Sequence, residues 1–489
     1  MSASANDIGV VGMGTMGRNL ALNIADHGFA VAVYNRTGSV TREFVSSHAA
    51  NRRVRPYYSA EELVGSLTPP RRVLVMVKAG PPVDAVIEEF GTLLHPGDVL
   101  IDGGNSHFHD TERRAAALAE KGIGFLGLGV SGGRSGARTG PSLMPGGPPE
   151  AYETVRIILE AIAARAGGRP CVSYLGRGGA GHYVKMVHNG IEYGFMQLIA
   201  DAYILMRDAL NLDNDRCASL FARWNDAELE SYLLEITAEI LQRRDERTGG
   251  YLVDVISGEA GQLGTGMWAS ESAMQLRVPV ANIDIAVTMR NLSALAEQRG
   301  EAARLCGTGG LGGDAPAPAP WARDGETTAD PLSAENVRRA LYAAMIITYA
   351  QGFAQLQAAS EAYGYHLKLR EAASIWQGGC IIRSRLLRDF EAAFERRPAS
   401  PNLLLDGELS GAVLTRRGDL ARVVRETAAR ALPAPGLTAA LSYLDSYCAQ
   451  WLPFNLIQAQ RDYFGAHGYR RTDEEGVFHT EWSSGEEKS

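Results

Sequence analysis

The stretch that decides the fold is Asp7–Gly17, DIGVVGMGTMG. A short apolar run leads into Gly12-Met13-Gly14-Thr15-Met16-Gly17, and the helical pattern RNLALNIADHG follows. Strand, glycine turn and helix are the context in which GxGxxG marks a dinucleotide site. The glycines permit a tight turn, close approach of backbone to a pyrophosphate and close helix packing, with the phosphates at the helix N-terminus. The second strand, AVAVYN, ends in Asn35-Arg36-Thr37. An NAD site usually carries an acid there to accept from the ribose 2'-hydroxyl. Arg36 instead can fork onto a 2'-phosphate, so the sequence points to NADP as cofactor.

Working outward, apolar runs recur in βα rhythm at residues 72–77, 99–104, 123–129 and 171–176, with helical stretches such as TERRAAALAEKG between them. This predicts a mostly parallel, doubly wound sheet over residues 1–179, an α/β Rossmann-type NADP-binding domain. Ligands collect at the C-terminal ends of such strands. Those ends carry Val77-Lys78-Ala79, then Gly103-Gly104-Asn105-Ser106, then Ser131-Gly132-Gly133. Plain turn chemistry explains any one of these, whereas three at successive strand ends point to a site.

After Gly181 the rhythm stops. Gly178–Ile199, GGAGHYVKMVHNGIEYGFMQLI, opens with loop-like glycines and has helical spacing from His182 onward. Lys185, His188, Asn189 and Glu192 then share one face, with Val184, Val187, Ile191 and Phe195 on an adjacent apolar one. A solvated polar face would give the same spacing. Against it, the flanking Met186, Gly190, Gly194 and Met196 are apolar or very small, as in a helix buried on most sides. A Lys and a Glu buried side by side titrate interdependently, a usual preparation for proton transfer.

Long helical segments continue to about Pro433, predicting a large all-α domain over residues 180–440. Its main interruption, Gly307–Asp330, is rich in Gly, Ala and Pro and reads as a flexible surface loop. Residues 441–489 form a helix (LIQAQRDYF) and an extended tail. Tyr469, Val477, Phe478 and Trp482 make that tail too apolar for plain disorder, so it should dock on something, such as another subunit.

Composition narrows the class. With 489 residues, 45% hydrophobic and 21% charged, the chain is an ordinary globular protein of two or three domains. The formal net charge of -8 argues against a general nucleic-acid binder. Five scattered cysteines show no metal spacing, so no metal is expected. No apolar run reaches membrane-spanning length and the N-terminus lacks a signal pattern, which together predict a cytoplasmic protein.

Read together, GxGxxG, NRT, VKAG, GGNS, GVSGG, GPSLMPGG, GHYVKMVHNGIEYG, GQLGTG, CIIRS, LIQAQRDYFGAH and GVFHTEW closely resemble the decarboxylating 6-phosphogluconate dehydrogenases over nearly the whole chain. The resemblance implies oxidation of 6-phospho-D-gluconate by NADP+ to ribulose 5-phosphate, CO2 and NADPH, in the oxidative pentose phosphate pathway. It also implies a homodimer in which each C-terminal tail threads through the other subunit. By resemblance, Lys185 is the base at the sugar 3-hydroxyl and Glu192 the acid that protonates C1 of the enediol left after decarboxylation. Gly12 to Gly17, Asn35, Arg36, Thr37, Val77, Lys78, Ala79 and Asn105 would hold the cofactor. Asn105, Ser131, Gly132, Gly133, His188 and Asn189 would hold the carboxylate and hydroxyls. Tyr193, Thr265 and Arg290 would hold the phosphate, with the partner's Arg461 and the partner's His467.

The sequence also departs from the family. Where GQKGTGKW is usual it reads GQLGTGMW, so Leu263 and Met267 replace two lysines, and Phe195 replaces an Asp. Losing one charged hydrogen bond to phosphate costs about 1.5 to 3 kcal/mol. Either Arg243, Arg244 or Arg277 compensates, or the substrate is a related aldonate with a different distal end; the retained Tyr193, Thr265, Arg290, Arg461 and His467 favour the first. A nucleotide-sensing homologue would be expected to lose Lys185 or Glu192, and both are present. A simple β-hydroxyacid dehydrogenase would lack the HNGIEYG stretch.

Overall fold

The structure is a computed structural model describing residues 6–49, 52–306 and 331–482. The stretch Gly307–Asp330, read above as a surface loop, lies outside the described residues. The chain divides into two compact units, Met1–Ala440 and Leu441–Ser489.

The first unit is built on a seven-stranded sheet: β1 (Ile8–Val11), β2 (Val31–Tyr34), β3 (Val54–Pro56), β4 (Arg72–Val75), β5 (Val99–Asp102), β6 (Gly124–Ser131) and β7 (Ser142–Gly146), in the order β3-β2-β1-β4-β5-β6-β7. All neighbours are parallel except β6 and β7. The short runs IGVV, VAVY and VLID are wholly buried, as befits strands covered by helices on both faces. One face packs against α1 (Thr15–Asp26) through Leu20, Ala21 and Ile24; the other packs Leu63, Phe90 and Leu118 from three further helices. The strand order reverses between β1 and β4. That switch point opens a crevice outside the ends of both strands, where the Gly12 turn and the loop after Val75 meet.

Two elements depart from the sequence reading. Residues 171–176 are not a strand: only Val172 forms a bridge, to Leu143. The antiparallel β7 has already taken that sheet edge, and the segment merely follows it, with Leu143 N donating to Cys171 O and Leu175 N to Pro145 O. The expected loop before His182 is also shorter, because the helix begins at Ala180.

That helix, α2 (Ala180–Ile204), is 25 residues long and crosses from the sheet into the all-helical region. A second long helix, α3 (Ala334–Ala362), opens with a Ser333–Asn336 capping box and packs along it. A β-carbon at Gly352 would stand 2.5 Å from Ile191 Cδ1, so the absent side chain lets the two helices meet closely. Among the described residues no helix is long and apolar enough to cross a membrane.

The second unit holds α4 (Phe454–Gly465) and an extended stretch closed by mutual hydrogen bonds between Tyr469 and Phe478. Its organising group is Asp462, which is fully buried. The carboxylate accepts from Gly468 N (2.8 Å), His479 Nδ1 (2.9 Å), Thr480 N (3.1 Å) and Trp482 Nε1 (2.8 Å). Burial pushes its pKa up, but these donors together hold it well below the usual carboxylate range.

Candidate active site

The glycine turn is shaped as a nucleotide cradle. Gly12 takes φ +97°, and a β-carbon there would lie 2.5 Å from Met76 O. One at Gly17 would lie 1.9 Å from Gly12 O, whereas one at Gly14 would meet nothing within 4 Å. The first and third glycines are thus needed for packing, and the second leaves an open approach at the α1 N-terminus, which carries no side-chain cap. Free N–H groups facing open space fit the pyrophosphate of a dinucleotide. Asn35 braces this turn: its Oδ1 accepts from Met13 N at 3.0 Å and its Nδ2 donates to Thr37 O at 3.3 Å. Arg36 is exposed beside it and makes no hydrogen bond among the described residues, so its guanidinium is available to a 2'-phosphate. Across the crevice, Val77 and Ala79 are half-buried and Lys78 is exposed.

The wall that carries Lys185 is set by how closely α2 rides on the sheet. Gly181 lies where a β-carbon would be 2.2 Å from Gly127 O, and Gly146 where one would be 2.2 Å from Gly181 N. These contacts bring Lys185 to the C-terminal half of β6. Lys185 is only 6% exposed, and its Nζ makes no hydrogen bond among the described residues. Burial lowers its pKa, opposed by Glu192 and by Cys380. Burial raises the pKa of the half-buried Glu192, opposed by Lys185 and Arg290. A base and an acid have been pushed toward each other's range, as proton-transfer chemistry near neutral pH requires.

Beside them runs a directed chain of hydrogen bonds. His188 is fully buried and its pKa is pushed well below the ordinary value by burial and by Lys185, so the ring is neutral. Its Nδ1 donates to Asn189 Oδ1 at 3.0 Å, which leaves Nε2 to accept from Ser131 Oγ at 3.2 Å. Asn189 Nδ2 then donates to Thr265 Oγ1 at 3.1 Å. Ser131, His188, Asn189 and Thr265, all expected to meet substrate, are therefore joined in one line. Gly132 and Gly133 continue from Ser131; a β-carbon at Gly133 would meet nothing within 4 Å, leaving room for a ligand.

At the far end, the Arg290 guanidinium lies 3.4 Å from the Tyr193 ring centre and donates to Gly261 O at 3.1 Å. Leu263, in the same loop, is 90% exposed and Met267 is 39% exposed. Of the arginines considered as compensation, Arg243 pairs with Glu246, and Arg244 pairs with Asp215 and lies on the Tyr251 ring. Arg277 follows a helix end at φ +58°. A cavity of about 230 Å³ beside Arg290 is lined instead by Arg299 and Gln197. Asn105 is exposed on the loop after β5. Arg461 and His467 belong to the C-terminal unit, where Arg461 donates to Gln458 Oε1 at 3.1 Å.

Comparison with family models matches residues 7–176 to the NAD binding domain of 6-phosphogluconate dehydrogenase and residues 181–482 to its C-terminal domain. The chain belongs to the 6-phosphogluconate dehydrogenase family. It is 51% identical to the NADP(+)-dependent, decarboxylating 6-phosphogluconate dehydrogenase of Bacillus subtilis, covering 98% of this chain and 99% of that protein. It is 49% identical to the decarboxylating enzyme of Escherichia coli, again over 98% and 99%. Among solved structures, Plasmodium falciparum 6-phosphogluconate dehydrogenase, described with NADP+ and with 6-phosphogluconate, matches at a TM-score of 0.91 and 42% identity, over 97% of this chain and 100% of that one.

Within this 6-phosphogluconate dehydrogenase fold, sequence reasoning missed the groups behind the site. His182 Nε2 donates to Asp102 O at 3.0 Å, and its Nδ1 faces Thr111 Oγ1 at 2.6 Å. Asp102 in turn accepts from Gly104 N at 3.0 Å and Ser106 Oγ at 2.6 Å, fixing the loop that carries Asn105. The only sequence signal was a polar Asp ending an apolar strand.

Proposed function

We propose that this chain oxidises and decarboxylates 6-phospho-D-gluconate to D-ribulose 5-phosphate and CO2 with reduction of NADP+. The observation that carries this reading is Lys185, buried so that its pKa is lowered, on the same wall of α2 as Glu192, whose pKa burial raises, and flanked by the Ser131–His188–Asn189–Thr265 line.

The cofactor would lie along the Gly12–Gly17 turn with its 2'-phosphate toward Arg36. When bound, NADP+ supplies the acceptor for the hydride leaving C3. Neutral Lys185 takes the proton of the 3-hydroxyl. The resulting β-keto acid loses CO2 without a metal, because the new carbonyl accepts the electron pair. Protonated Lys185 then hydrogen-bonds the enolate oxygen. Glu192, two turns along and about 10 Å away along the axis, protonates C1 of the enediol, the former C2 of the substrate. Ser131, His188 and Asn189 orient the carboxylate and hydroxyls. Tyr193, Thr265 and Arg290 receive the phosphate. We place the active form as a homodimer, with Arg461 of the partner subunit and His467 of the partner subunit completing that end, in the cytoplasm, where the five free cysteines stay reduced.

The test is a spectrophotometric assay with 6-phosphogluconate, using NADP+ and NAD+ in parallel, while CO2 is trapped. NADPH formation matched by CO2 release is expected. A second reading rests on the exposed Leu263 and Met267: a related aldonate with a different distal end. Silence with 6-phosphogluconate and turnover with such an aldonate would establish that reading instead.

A further inference from the structure

Arg114 is one of the largest fully buried side chains in the protein, 1% exposed, on the helix Phe108–Ala119. Its five N–H donors reach two different strand-end loops. Toward the loop after β4, Nη2 donates to Gly80 O at 3.0 Å, while Nε and Nη2 fork onto the Asp84 carboxylate at 2.8 and 3.0 Å. Toward the loop after β5, Nη1 donates to Ser106 Oγ at 3.2 Å and approaches Asp102 Oδ2 at 3.5 Å. Asp102 is in turn held through its carbonyl by His182, one turn before Lys185 on α2. One guanidinium thus joins Val77–Gly80, the Asn105 loop and, through Asp102 and His182, the helix that carries Lys185.

We propose that Arg114 is a positioning residue that sets the spacing between the cofactor-facing loop Val77–Gly80 and the Asn105 loop, and so the approach of C3 to its hydride acceptor. The proposal rests on the reading that these two loops face cofactor and substrate. A planar fork is needed because the two loops are gripped from opposite edges of one rigid group. Lysine, a point charge on a flexible stem, could hold one loop but not both.

The experiment compares wild type with Arg114→Lys, using kcat, both Michaelis constants and the primary deuterium isotope effect with 6-phosphogluconate deuterated at C3. Misplacement of reacting atoms by about 1 Å can cost on the order of a hundredfold. The expected result is a fall in kcat of about ten- to a hundredfold, a raised Michaelis constant for NADP+ and a larger isotope effect, as hydride transfer becomes rate-limiting. Wild-type kinetics and isotope effect, even with a lowered melting temperature, would make Arg114 merely structural and overturn the proposal. Should Arg114→Lys fail to fold, Asp84→Asn and Ser106→Ala each remove one end of the bridge. A raised isotope effect in either supports the proposal, and a wild-type value in both overturns it. Lys78→Ala and Asn105→Ala are the controls for the underlying reading. If both leave the Michaelis constants unchanged, the loops do not face ligand and that reading fails. If they raise them while Arg114→Lys is silent, only the role of Arg114 fails.

Discussion

Gly129 in β6 lies directly under Lys185: a β-carbon at Gly129 would stand 2.5 Å from Lys185 Cβ and 3.1 Å from Gly181 O. The depth at which the lysine sits is therefore set by the absence of a side chain on the strand beneath it. Gly129→Ala must lift α2 or strain the strand, and overpacking of this kind costs about 1 to 3 kcal/mol. The expected outcome is a folded protein with a modestly lowered melting temperature and a fall in kcat of about a hundredfold. Thermal melts beside steady-state kinetics check it; an unchanged kcat would show that Lys185 tolerates the displacement.

The opposed pKa shifts of Lys185 and Glu192 predict a bell-shaped pH dependence. Lys185 must start neutral, so kcat/KM falls on the acid side as it gains a proton. Glu192 must carry a proton for C1 of the enediol, so activity falls on the alkaline side as it ionises. Because each charge acts on the other, the limbs belong to the pair. Glu192→Gln should reduce kcat by about 10² to 10⁴ and abolish the alkaline limb. The acid limb should remain, because Glu192 is already protonated and uncharged at the pH where Lys185 gains its proton, a state that glutamine imitates. A pH profile with the alkaline limb intact in Glu192→Gln would remove Glu192 from the role of acid.

Leu263 presents an apolar side chain to solvent, two residues from Thr265 and two from Gly261, whose carbonyl accepts from Arg290. Leu263→Lys restores a cation to the loop that the family usually charges. If the phosphate of 6-phosphogluconate is bound here, its Michaelis constant should fall about tenfold or more, as expected for one charged hydrogen bond. Arg299→Ala should raise that constant if the cavity beside Arg290 supplies the substitute charge. An unmoved Michaelis constant in Leu263→Lys would turn attention to substrates without that phosphate.

Further along α2, Asp201 is buried and accepts from Gln197 Nε2 at 2.7 Å and Leu437 N at 3.0 Å. Burial raises its pKa from 3.8 to about 7 despite these bonds. The folded state thus holds a proton that the unfolded chain releases near pH 4, so this group costs stability as pH rises from there to about 7, and no more beyond. Asp201→Asn should remove that slope. Relative to wild type, its melting temperature should rise progressively between pH 4 and 7, by an amount reflecting at most a few kcal/mol. A constant difference across that range would mean that Asp201 is already ionised in the fold.

The sequence alone determined what local periodicity and glycine placement encode. The Gly12–Gly17 turn, the βα rhythm and the Lys185–Glu192 face were legible because each depends on residues close together in the chain. Where competition between distant segments decides the outcome, local pattern could not reach. Residues 171–176 have strand composition, yet β7 occupies the sheet edge they would have needed. The burial that lowers the Lys185 pKa needs Gly129, Gly181 and Gly146 brought together across the sheet. Likewise, Arg114 within TERRAAALAEKG reads as one more helical arginine. Only the tertiary structure gives it two loops to join, because its partners at Gly80, Asp84, Asp102 and Ser106 come from separate βα units that the sheet order makes neighbours.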